Sequence, residues 1–80
     1  MLRFEAVKIL KEMLVGCNSL EGKSVKLMPP DADSVQSVGY QIHVQKRLDG
    51  AEKACIIKIA QKHSLSMHDY EDFHVIYKPL

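Results

Sequence analysis

The stretch from Val38 to His63 constrains the fold more than any other part of the chain. Val38, Tyr40, Ile42 and Val44 alternate with Gln41, His43, Gln45 and Arg47. A two-residue period places the apolar set on one side of a β-strand and the polar set on the other. Just beyond, Asp49 and Glu52 have the spacing of a capping box, in which the aspartate accepts an early helix amide and the glutamate reaches back to the cap's own N–H. A helix is therefore expected from about Gly50. Wound at about 100° per residue, it turns Cys55, Ile56, Ile59, Ala60 and His63 toward a core and Ala51, Ala54, Lys58, Gln61 and Lys62 toward water. A strand that is polar on one side and feeds an amphipathic helix implies a sheet with helices covering its apolar side.

The flanking segments extend this scheme. Leu2, Ala6, Ile9, Leu10, Met13, Leu14 and Cys17 recur at three- and four-residue steps, which predicts a first helix that stops near Gly16, Asn18 and Ser19. Val25 and Leu27 alternate with Lys26 in a short first strand from Ser24 to Met28, ended by Pro29 and Pro30. Residues Asp31 to Ser37 are polar and turn-forming, a long hairpin loop, and Gly39 is a candidate bulge in the strand that follows. Phe73 to Tyr77 reads as a closing strand after the acidic turn Asp69-Tyr70-Glu71-Asp72. The expected fold is a single α+β domain over residues 1–80, a two-layer sandwich of order α-β-β-α-β. Its small, mainly antiparallel sheet has three strands, or four if Leu65 to Met67 extends, with two helices on one face. This order resembles that of type II KH domains, but Gly50-Ala51-Glu52-Lys53 lacks the second glycine of their Gly-x-x-Gly loop, so no residue is carried over.

Charge narrows the function classes. The net charge is +1, distributed as +2 over residues 1–30, −2 over 31–39, +3 over 40–63 and −2 over 64–80. No strong field steers the whole molecule to nucleic acid or membrane, so electrostatic binding must be local. The amino-terminal residues Met-Leu-Arg-Phe-Glu have the pattern of neither a signal peptide nor a membrane span, and Cys17 and Cys55 fall within helical apolar patterns. Together these features suggest unpaired thiols and a cytoplasmic protein.

Three constellations carry candidate chemistry. Gln41, His43, Gln45 and Arg47, joined by Lys26, His74 and Lys78, form a polar, mildly basic sheet face suited to phosphates or acidic peptides. Strand two has no aromatic on that side for base stacking. His68, His74 and the three carboxylates between them are competent metal ligands, yet strand alternation sends the two histidines to opposite faces. The cysteines and histidines permit a thiol nucleophile in principle, although both cysteines occupy core positions and His63 lies two helical turns from Cys55. Neither a catalytic fingerprint nor a cofactor motif is present.

The first helix departs from its own amphipathic pattern. Phe4 and Val15 fall opposite the apolar stripe, beside Lys8 and Lys11, and apolar groups with a basic rim suit a partner helix or groove. The expectation is a non-catalytic protein-interaction module, plausible as a homodimer. It would act through Phe4, Lys8, Lys11 and Val15, or through the edge and open face of strand two. RNA or DNA binding on the sheet face is the alternative, and a thiol- or metal-dependent enzyme the third reading.

Overall fold

A computed structural model describes residues 1–17, 20, 24–30 and 37–80. Most of the loop expected at Asp31 to Ser37, and the helix-stop residues Asn18 and Ser19, lie outside the described residues. Helix α1 spans Arg3–Gly16, strand β1 Val25–Met28, strand β2 Gln41–Val44, helix α2 Gly50–Lys62, strand β3 Ser66–Asp69 and strand β4 His74–Tyr77. The class is α+β, with one four-stranded antiparallel sheet of order β1-β2-β4-β3.

Two expectations about the sheet change. The short extension after α2 is a full strand, β3, so the sheet has four members. Strand β2 is central rather than an edge, hydrogen-bonded to β1 on one side and β4 on the other. Among the described residues the edge strands are β1 and β3. In the β3–β4 hairpin His68 pairs with Val75 and Asp69 with His74. His68 and His74 still face opposite sides of the sheet, as alternation requires.

Helix α2 begins as the sequence dictates. The Asp49 carboxylate accepts from the Glu52 N–H at 2.8 Å, and the Glu52 carboxylate accepts from the Asp49 N–H at 3.2 Å. Helix α1 has Leu2 at its N-cap and no side-chain cap, so its position depends on burial of Ala6, Ile9 and Met13. These side chains join Ile56 and Ala60 of α2 and Val25, Ile42, Val44 and Ile76 of the sheet in one apolar cluster. Cross-strand pairing explains the sheet's contribution, because Val25↔Val44 and Ile42↔Ile76 sit opposite one another and share a side.

The regular strand stops short of Val38 for a reason the alternation pattern does not contain. Five residues separate Ser37 from Ile42, but three separate their partners Pro79 and Ile76, so the β2 side carries extra residues around Gly39. Met1 fills the irregularity. Its amino group donates to the Val38 carbonyl, and its own carbonyl accepts from the Tyr40 N–H at 2.7 Å. Gly39 adopts a positive φ of 74°, and the Met1 backbone occupies the space a Cβ there would need.

Candidate functional site

The outer face of α1 is as the pattern predicts. Phe4 is 73% exposed and Val15 79%, and Lys8 and Lys11 are exposed between them. Eleven residues of helix separate the two apolar groups, about 16 Å at 1.5 Å per residue. Neither lysine has an acidic partner among the described residues. Glu12 is turned away, accepting from Lys62 at 2.8 Å and bonded to the His63 ring at 2.9 Å. The Lys62 bond and then the His63 bond hold its carboxyl below the usual carboxylate range.

The polar face of β2 requires correction. Gln41 and His43 are buried, at 0% and 4% exposure. The Gln41 amide donates to Ser37 Oγ at 2.9 Å and to the Pro30 carbonyl at 3.3 Å, and its Oε1 meets His43 Nε2 at 2.9 Å. Over His43 lies a run of rings from the β3–β4 hairpin. Phe73 stacks on His43 with centroids 5.8 Å apart, Tyr70 stacks on Phe73 at 4.7 Å, and His68 meets Tyr70 edge-on at 4.6 Å. Val75, fully buried, is the cross-strand neighbour of both His43 and His68 beneath this run. The polar residues of β2 are therefore an internal network. Gln45, Arg47, Lys26 and Lys78 are exposed, and Arg47 donates to the Glu71 carbonyl at 3.0 Å.

His74 also leaves the proposed face. It pairs opposite Val44, on the core side, and is 5% exposed. Its Nε2 accepts the Leu48 N–H at 3.2 Å, so its Nδ1 carries the proton donated to Asp69 Oδ1 at 2.8 Å. Both ring nitrogens are occupied, which leaves no lone pair for base catalysis or a metal. Asp69 also binds the Lys53 ammonium. That bond first, with His74 adding to it, holds the Asp69 carboxyl below the usual range against the opposing effect of partial burial.

A carboxyl depressed in the folded state contributes stability above its unfolded value and loses it as pH falls through the folded one. Urea midpoints followed by circular dichroism are expected to fall on acidification below about pH 4, the ordinary carboxylate range. Asp69→Asn should flatten that slope; an unchanged slope would show that the Lys53–Asp69–His74 cluster contributes nothing to folding.

The cysteines are paired, not free. Cys17, the C-cap of α1, forms a disulfide with Cys55 of α2, with Cα atoms 6.0 Å apart across a sequence separation of 38. The apolar spacing turns both residues toward the interior, and the packing of α1 on α2 brings them together. A thiol nucleophile built on either residue is therefore absent from this form. Among the described residues no group of three or more His, Cys, Asp or Glu side chains is arranged to hold a metal ion, and no helix is long and apolar enough to cross a membrane.

Two hollows flank these features. One, of about 380 Å³, lies at the amino terminus between Leu2, Glu5, Val38 and Lys78. The other, of about 350 Å³, runs between α2 and the outer strand β3, with Ile57, Ala60, Leu65 and Met67 along it. Sequence reasoning missed the second because β3 was read as only an optional extension. No protein-family model, curated protein or solved structure matches this chain.

Proposed function

We propose that this protein is a non-catalytic interaction module, a two-layer α+β domain with both helices on one side of its sheet, that docks a partner on the outer face of α1. The observation that carries this reading is the exposure of Phe4 and Val15 on one helix face with Lys8 and Lys11 between them. Large apolar side chains left in water beside cations favour a partner that supplies apolar contacts and negative charge. An acidic amphipathic segment fits better than a second α1. Two antiparallel α1 helices that match Phe4 with Val15 would also place Lys8 against Lys11, and like charges in that position are destabilising.

The test is a titration of the ¹⁵N-labelled protein with a synthetic acidic amphipathic helical peptide. Shifts are expected along Phe4 to Val15. Phe4→Ser or the pair Lys8→Glu, Lys11→Glu should weaken binding at least tenfold while leaving stability within about 0.5 kcal/mol, because these are surface positions. Absence of shifts on α1 at millimolar peptide would defeat the reading.

A second reading has one favouring observation. The hairpin brings Tyr70 and Phe73 to the side of the sheet where β2 has no aromatic, near exposed Arg47, and stacked rings beside a cation suit single-stranded nucleic acid. Glu71 and Asp72 at the same tip oppose it. A short oligonucleotide added at low salt in the same titration separates the readings, since its shifts would fall on Tyr70 and Phe73 and vanish steeply with salt.

The cytoplasmic expectation rested on the amino-terminal pattern, with the placement of the cysteines taken as agreeing with it. The Cys17–Cys55 bond favours an oxidising setting instead.

A further inference from the structure

Strand β3 ends the sheet, and among the described residues no strand pairs with its outer edge. The Tyr70 N–H donates to the Phe73 carbonyl at 2.8 Å, so this is a hydrogen-bonded pair of the hairpin. Antiparallel ladders alternate, which makes 68/75 and 66/77 hydrogen-bonded as well and turns the N–H and C=O of Met67 and Asp69 outward. Their side chains rise on the core side of the sheet, toward the groove beside α2.

Helix and strand share one centre. Lys53 is bonded to Asp69 at one end of the groove, and the Leu65 N–H donates to the Ala60 carbonyl at 2.8 Å at the other. Ile57 therefore lies level with Met67. Along the helix the groove shows Lys53, Ile57 and Gln61, and along the strand Leu65, Met67 and Asp69. Each series is polar or charged at an end and apolar in the middle.

We propose that β3 pairs antiparallel with β3 of a second copy of this chain, about a two-fold axis through Met67, giving one continuous sheet with Ile57 of each copy in the groove of the other. The outward N–H and C=O groups of Met67 and Asp69 repeat symmetrically about Met67, and charge decides the register. With Met67 on the axis, Asp69 faces Leu65 of the second copy, Ser66 faces His68, and Lys53 points toward Gln61, so no like charges meet. A register centred on Asp69 would oppose two carboxylates, and one centred on His68 would set Asp69 against Met67. The α1 face lacks this self-complementarity, which is why the second copy belongs on β3. The inference goes beyond the α1 reading and uses a different surface, so either can fail alone. The edge is short, and the dimer should be weak, with a Kd of roughly tens to hundreds of micromolar.

Sedimentation equilibrium of the full chain from about 10 μM to 1 mM, a range that brackets this Kd, should show the mass rising from 9.1 kDa toward twice that value. Gln61 is exposed, so its charge can be changed without disturbing the core. Gln61→Glu should tighten the dimer roughly three- to tenfold by meeting Lys53 of the second copy, and Gln61→Lys should loosen it by a similar factor. Amide exchange at Met67 and Asp69 should slow with concentration while that of Phe4 to Val15 does not. A constant mass of 9.1 kDa, a dimer indifferent to both Gln61 variants, or protection confined to another surface would each overturn the proposal.

Discussion

Gly39→Ala is expected to destabilise the protein by at least ~3 kcal/mol, through backbone strain and a backbone clash acting together. The residue sits at φ 74°, where an L side chain is strained, and an added Cβ would lie 2.7 Å from the Met1 carbonyl carbon and closer still to its oxygen. Neither group is the end of a flexible side chain, so relief requires the Met1 backbone to leave its bonds to Val38 and Tyr40. Gly50→Ala is the matched control. At the first turn of α2 nothing lies within 4 Å of the new methyl, and the exchange should raise stability by up to about 1 kcal/mol. Urea unfolding of both variants against the parent chain measures the contrast. A Gly39→Ala loss under 1 kcal/mol would mean that Met1 does not hold its place against the bulge.

Opening the disulfide is the second large effect. A cross-link between residues 38 apart removes about 4 kcal/mol of chain entropy from the unfolded state, within the 2–5 kcal/mol usually lost when native bridges are removed. A domain of this size has about 4–12 kcal/mol in all, so the reduced protein should be marginal near body temperature. The expected result is a large drop in urea midpoint for the Cys17→Ala, Cys55→Ala pair, matched by the parent chain in reducing agent. Equal midpoints with and without reductant would show that the bond is not formed in solution. Intact mass with and without alkylation checks the same point independently.

The features legible in the sequence are those in which one residue acts on its near neighbours. Asp49 and Glu52 announced the start of α2 because a capping box is complete within four residues. Phe4 and Val15 could be placed in water because helical periodicity alone decides which side of α1 they occupy. Gly39 was legible as an irregularity, though not its cause, since Met1 lies far away in sequence.

The candidate site was less legible. Alternation correctly put Gln41 and His43 on the side of β2 away from Ile42, but alternation reports sides and not exposure. What lies against them is Pro30, Ser37 and the ring of Phe73, none adjacent in sequence. His74 was misassigned because the face of β4 depends on which of its residues opposes Val44, a matter of register. The cysteines illustrate the same limit. Two core-facing cysteines on different helices read alike whether 4 Å or 15 Å apart, and only the packing of α1 on α2 brings them together.

Local chemistry thus suffices for the two helices, their apolar stripes, the α2 cap and the exposed α1 face, because hydrogen bonds and periodicity within about a dozen residues specify them. The order of the strands, the central place of β2, the edge place of β3 with its groove and the Cys17–Cys55 bond come from long-range contacts. For those, several pairings satisfy the same hydrophobic pattern, and the packing of the whole core selects one.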